Sequence, residues 1–124
     1  MELKKLSMEH PQKITNDFVQ QVITTGKQYC IFLYKSGPNR NQPPEEEEAI
    51  QGAHLRYLFT LRAEGKLAIN GPVMDDSELL GVGVFNLTDK EEVKKLLAED
   101  PAVIAGRLIY EIHQWFSIPG DSLP

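Results

Sequence analysis

Residues 45–72, EEEEAIQGAHLRYLFTLRAEGKLAINGP, hold a helix and the strand that follows it. Ile50, Ala53, Tyr57, Leu58 and Leu61 recur at helical spacing, so the segment from about Glu45 to Glu64 predicts an amphipathic helix. Gly65 is its expected stop. The acidic run Glu45 to Glu48 suits the positive end of a helix dipole and reads as a helix start, not as a metal site. KLAIN, residues 66–70, reads as a short strand ended by the turn pair Gly71-Pro72. One residue breaks the pattern: His54 stands in the apolar stripe, four residues after Ile50 and four before Leu58, where a solvated side chain is out of place.

Upstream, QYCIFLYK at 28–35 is an apolar run of strand length. Both alternating sets, Tyr29/Ile31/Leu33 and Cys30/Phe32/Tyr34, are apolar, so this strand is expected to be covered on both faces. SGPNRNQPP, residues 36–44, is a loop by composition. Downstream, Asp75 and Asp76 suit a turn, and Leu79 to Leu87 reads as a strand. There Leu80, Val82 and Val84 point one way, and Gly81 and Gly83 the other. The glycines admit either a ligand close to the backbone or close packing of two sheets; the second is the favoured reading. A second helix is expected from about Asp89 to Glu99 with Thr88 as N-cap. Asp100-Pro101 and Gly106 mark turns, and RLIYEIHQWF at 107–116 is the last strand.

The order is β-α-β-β-α-β, which predicts an α+β, ferredoxin-like antiparallel sheet with two helices on one face. The uncovered face needs a lid, and a second subunit is the simplest one. The expected organisation is an N-terminal helical extension at 1–27, a core domain at 28–116 and a tail at 117–124. Ile14, Phe18 and Val22, with Val19 and Ile23, form the apolar stripe of a helix in that extension. It is capped at Thr15 or Asn16, stopped at Gly26, and expected to dock through Ile14, Phe18 and Val22. His10 reads as solvated.

The chain has 124 residues, 41% hydrophobic and 25% charged, the profile of one globular domain. Its net charge of −5, with no basic run, argues against nucleic acid and anionic membrane surfaces as partners. No apolar run is long enough to span a bilayer, and MELKKLSMEHPQK lacks the apolar core of a secretory signal. A single cysteine, Cys30, excludes a disulfide framework, reads as a packing residue, and fits a cytoplasmic location. No HExxH, CxxC, nucleophile-elbow or GxGxxG pattern occurs, so no metal and no cofactor are expected.

The second polar intruder is Asp100, which continues the stripe Val93, Leu96, Leu97. A buried carboxylate costs several kcal/mol unless paired, and a buried imidazole wants a partner for each nitrogen. The two would satisfy each other as a His–Asp dyad suited to general acid–base work. Each has a plainer reading: His54 as a structural histidine, and Asp100 as the maker of a local turn bond before Pro101. His113, Glu111 and Trp115 share one face of the last strand, at a dimer interface or a pocket.

Three stretches together resemble the YciI-like (YCII-related) family over residues 28–116: HLRYLFTLRAEGKLAINGP, LLGVGVFNL and AEDPAVIAGRLIYEIHQW. The resemblance implies a dimeric α+β barrel of two sheets packed face to face. It implies a pocket with a His–Asp pair, mapping to His54 and Asp100, bordered by Tyr34, Tyr57, Gly71 and Pro72. The family is similar in fold to muconolactone isomerase and to small antibiotic-biosynthesis monooxygenases, and a few relatives act on hydroxylated or chlorinated aromatic degradation products. The expectation is therefore a homodimeric, cofactor-free enzyme of lyase or isomerase type, with a small-molecule substrate. The alternative is a non-catalytic small-molecule-binding or protein-interaction module of the same fold. A cavity reaching His54 separates enzyme from interaction module.

Overall fold

The computed structural model describes residues 13–124, so His10 lies outside the described residues. Tyr29–Trp115 form one compact unit, and the described flanks, up to Gln28 and from Phe116 to Pro124, form another. In the flanking unit, helix α1 spans Asn16–Ile23, with Thr15 as its N-cap accepting from the Phe18 N–H at 3.1 Å. The expected stop at Gly26 comes earlier: Thr24 caps the helix, and its hydroxyl and that of Thr25 donate to the Gln21 and Val22 carbonyls. Ile14 precedes the helix and is exposed, while Phe18 and Val22 are half-buried.

The chain continues with β1 (Lys27–Ser36), α2 (Pro44–Ala63), β2 (Leu67–Pro72), β3 (Leu79–Phe85), α3 (Lys90–Ala98), the short α4 (Pro101–Ile104) and β4 (Leu108–Ser117), all within the main unit but for the outer two residues of β1 and of β4. The sheet order is β2-β3-β1-β4, with β1–β3 and β2–β3 antiparallel. This is the ferredoxin-like order, in which the central strands β1 and β3 are apolar on both faces. α2 ends where Gly65 takes a positive φ of 78°, a backbone state that costs glycine nothing. Asp89, rather than Thr88, caps α3, accepting from Glu91 N–H at 2.9 Å. Gly71 and Pro72 are not a turn. They close β2, opposite Val82 and Gly81, and the turn follows with Asp75 accepting from Ser77 N–H.

Cys30, Phe32 and Tyr34 of β1 pack with Leu67 and Phe85 against Leu58 and Leu61 of α2 and Val93 and Leu97 of α3. The register places Phe32 opposite Gly83 and Tyr34 opposite Gly81. Both glycines therefore face the helices. The sheet-to-sheet reading of this pair is overturned. A Cβ on Gly83 would stand 2.3 Å from the Phe32 ring, so glycine is what lets that buried ring lie flat on β3. The helix-free face carries Ile31 and Leu33 of β1, Val82 and Val84 of β3, and Ile109 and Glu111 of β4. Ile109 and Val82 are exposed and the β1 pair is half-buried, an apolar surface with nothing described over it. Lys35 crosses it to Glu111 at 2.7 Å, and His113 lies 3.9 Å from the same carboxylate, which puts Glu111 and His113 on this face, not in a pocket.

Candidate active site

Asp100 is wholly buried between α3 and α4. The α3 pattern carries it inward, but the helix stops at Ala98 because Pro101 disfavours helical backbone before it. Asp100 instead becomes the N-cap of α4, with Oδ1 accepting from Ala102 N–H at 2.9 Å. The expected local turn bond is thus present. So is the longer-range contact: His54 Nδ1 lies 2.9 Å from Oδ1 and 2.7 Å from Oδ2. A third donor was not anticipated, the Tyr34 hydroxyl, which donates to Oδ2 at 2.6 Å. Three donors converge on one carboxylate, which offsets the cost of burying its charge. Because the ionised Asp100 carboxylate offers only acceptor oxygens, the neutral imidazole that faces it carries its proton on Nδ1, which leaves the lone pair on Nε2. Nε2 has no hydrogen bond among the described residues, yet no buried side-chain nitrogen or oxygen there lacks a partner, so Nε2 is the open end of the ring.

His54 lines a cavity of about 260 Å³. Phe32, Tyr34, Leu55, Leu58, Ala102 and Leu108 give it apolar walls, and Asn70, Gly71, Pro72, Leu80, Gly81 and Val82 close the side formed by β2 and β3. Arg40, Gln51 and Arg107 add polar groups. Of the residues expected at the pocket, Tyr34, Gly71 and Pro72 line it and Tyr57 does not. The Tyr57 hydroxyl instead donates to the Leu96 carbonyl at 2.7 Å, tying α2 to α3. Burial, followed by the charge of Glu99, pushes the Tyr57 hydroxyl up to about 12. Tyr34 is pushed further: burial first, then the adjacent Asp100 carboxylate, hold it far above the ordinary phenol range, so it stays a donor. Burial likewise raises the Cys30 thiol, in keeping with a packing residue. Among the described residues no group of histidine, cysteine, aspartate and glutamate is placed to hold a metal, and no helix is long and apolar enough to cross a membrane.

The loop between β1 and α2 contributes what composition alone concealed. Gly37 N–H donates to the Arg107 carbonyl and Asn39 N–H to the Gly106 carbonyl, at 2.8 and 2.9 Å. A Cβ on Gly37 would meet the Gly106 oxygen at 2.2 Å, so only glycine permits this clasp. It sets Arg40 beside the start of β4, with its guanidinium donating to the Arg107 carbonyl. Arg107 itself is buried, held by Gln42 at 2.7 Å and Glu47 at 3.2 Å. An arginine directly after a turn glycine, opening an apolar strand, was the available signal.

A model of the YCII-related domain matches residues 28–116. The chain belongs to the YCII-related domain family. Comparison with curated proteins gives no significant match. Among solved structures, the chain is similar to the 5-chloro-2-hydroxyhydroquinone dehydrochlorinase of Burkholderia phenoliruptrix, determined with 2,5-dihydroxybenzoquinone. Identity is 22%, with 69% of this chain and 92% of that one covered and a TM-score of 0.51. It is also similar to a dimeric ferredoxin-like protein of unknown function from Bacteroides fragilis, at 15% identity, 71% and 93% coverage and TM-score 0.43. A third is a cofactor-independent oxygenase of Streptomyces nogalater, at 13% identity, 78% and 97% coverage and TM-score 0.41. At 22% identity, what is shared with the dehydrochlorinase is the fold.

Proposed function

We propose that this YCII-family protein is a small enzyme that moves a proton on a carbonyl- or phenol-activated substrate, using His54 oriented by Asp100 and no cofactor. The observation that carries the reading is the polarised imidazole: Nδ1 is fixed on a buried carboxylate, 2.7 Å away, and Nε2 is open at a cavity that the ring lines. With the proton on Nδ1, Nε2 accepts a proton from the substrate, and the imidazolium so formed is stabilised by the Asp100 charge behind it. The same nitrogen then returns the proton to another atom of the substrate, which completes an isomerisation, or gives it up after a leaving group departs. Tyr34 and Ala102 hold Asp100 from the other side, so the carboxylate cannot rotate away from the ring. A pure interaction module has no use for free volume against a buried histidine, and the cavity supports the enzymatic reading over that one. A dehydrochlorinase of the same fold supports the choice of a small, ring-shaped substrate.

The uncovered apolar sheet face supports a homodimer in which the two sheets meet. Its motive is the surface of Ile31, Leu33, Val84 and Ile109, not the glycines.

The test is hydrogen exchange. Enolisable one-ring ketones, butenolides and hydroxyquinones are incubated with the protein in D₂O, and loss of the acidic C–H signal is followed by proton NMR. The expected result is exchange by the wild type that His54→Ala abolishes and Asp100→Asn slows by about 10²–10⁴-fold. Exchange that survives His54→Ala at the wild-type rate overturns the reading.

A further inference from the structure

The chain is acidic overall, at −5, yet the cavity presents the opposite sign. Its ionisable lining groups are Arg40, Arg107, His54 and Tyr34, with no aspartate or glutamate among them. The nearest carboxylates are turned away: Asp100 is wholly buried behind His54, and Glu47 faces Arg107 from outside the lining. The two guanidiniums differ in what they have left to give. Arg107 is committed, with one nitrogen on Gln42 at 2.7 Å and another on Glu47 at 3.2 Å. Arg40 gives one N–H to the Arg107 carbonyl and pairs with no carboxylate among the described residues. Four of its five donors remain, in a planar fork that matches two oxygens of one anionic group.

Resting on the reading of this cavity as the substrate site, we infer that its ligand is anionic: a one-ring molecule whose carboxylate is seated on Arg40. A volume of about 260 Å³ falls just under the range of pockets for drug-sized ligands, which suits a single ring. The anchor that holds Arg40 is a backbone carbonyl fixed by the Gly37 clasp, so the fork is pre-oriented and the apolar walls take the ring. Such a seat discriminates by charge. A neutral amide of the same shape keeps one acceptor oxygen but turns its NH₂ toward the fork, so the ligand forfeits one hydrogen bond and the charge assistance of the other.

The experiment compares benzoate with benzamide, which share shape and differ in charge, by NMR titration of the wild type, Arg40→Gln and Arg40→Lys. Benzoate is expected to bind about tenfold or more tighter than benzamide. Arg40→Gln removes the preference, Arg40→Lys keeps part of it, and added NaCl weakens benzoate alone. Equal binding of the two probes, an unchanged ratio in Arg40→Gln, or no binding of benzoate at about 10 mM each overturns the anion seat. The measurement needs no turnover. Proton transfer by His54 therefore stands or falls separately, through His54→Ala in the exchange assay.

Discussion

Asp100→Asn isolates the charge of Asp100 from its shape. The native carboxylate accepts from Ala102 N–H at 2.9 Å, from the Tyr34 hydroxyl at 2.6 Å and from His54 Nδ1 at 2.7 Å. An asparagine has one oxygen and one NH₂. With its oxygen kept on Ala102, where the α4 cap needs it, the NH₂ takes the place of Oδ2. It then points at Tyr34 and at Nδ1, both of which were donors. Nδ1 lay 2.7 Å from Oδ2 and 2.9 Å from the retained oxygen; facing the nearer NH₂, the histidine accepts by moving its proton to Nε2, which makes the cavity nitrogen a donor instead of a base. Hydrogen bonds to a charged group contribute about 1.5–3 kcal/mol and neutral ones about 0.5–1.5, so three bonds lose roughly 3 kcal/mol of charge assistance. Relief of burying a charge returns part of that, and the net expected loss is about 1–3 kcal/mol. Asp100→Ala leaves the Tyr34 hydroxyl and Ala102 N–H without acceptors and is expected to cost more, about 3–5 kcal/mol.

Two measurements check this without a substrate. Imidazole ¹⁵N NMR above neutral pH is expected to show the His54 proton on Nδ1 in the wild type and on Nε2 in Asp100→Asn. Urea unfolding gives the stability order wild type, Asn, Ala. A wild-type spectrum with the proton on Nε2, or one that Asp100→Asn leaves unchanged, refutes the orienting role assigned to the carboxylate.

Gly83→Ala places a methyl group 2.3 Å from a ring that is 1% exposed, so overpacking is expected to cost about 1–3 kcal/mol by urea unfolding; a loss within error would show that Phe32 has room to move. Alkaline difference absorbance is expected to show Tyr57 ionising near 12 and Tyr34 not before the chain unfolds, with Tyr34→Phe leaving the absorbance steps seen before unfolding unchanged. Both hydroxyls hold their protons more tightly folded than unfolded. Their contribution is therefore complete below the unfolded value of about 10 and is lost as pH rises above it. Sedimentation at micromolar concentration is expected to give a dimer, since obligate interfaces of this kind bury more than ~2,000 Å². Ile109→Asp on the open face should shift it to monomer, and a wild-type monomer would sink the dimer.

The strand and helix order was legible because each element declares its period: both alternating sets of β1 are apolar, and α2 repeats Leu58 and Leu61 with His54 in the same stripe. Boundaries drifted where capping chemistry decides them, as at Thr88 and Asp89, adjacent residues with equivalent cap oxygens. The glycines of β3 were legible as a flat strip but not as to which face they flatten. That depends on the register with β1, and the choice is settled by the size of Phe32, a property of the partner strand. Tyr34 was visible as a pocket residue, but its bond to Asp100 spans 66 positions and leaves no local trace. Arg40 and Arg107 were hidden for a different reason. A loop of Ser, Gly, Pro and Asn reads as exposed, and nothing in its composition records that its backbone is pinned to the turn before β4.

Asp100 shows why the two readings of that residue were not rivals. As an N-cap it must have extended backbone, φ −62° and ψ 125°, and Pro101 enforces that state. The same backbone fixes where the carboxyl group points, and Oδ1 is bound to Ala102 whether or not a histidine is near. Half of the dyad is therefore positioned by local chain chemistry before any tertiary contact forms. His54 then needs only to arrive on the inner stripe of α2, which Leu58 and Leu61 bring into the core. A carboxylate held by its own helix cap also resists drifting when the cavity fills. The prediction that follows is specific: Pro101→Ala, which removes no side-chain contact to His54, should loosen the cap and broaden the Nδ1 proton signal. It should leave the Tyr34 and His54 partners chemically intact. A Pro101→Ala spectrum identical to wild type would mean that the imidazole and the phenol, not the cap, hold Asp100 in place.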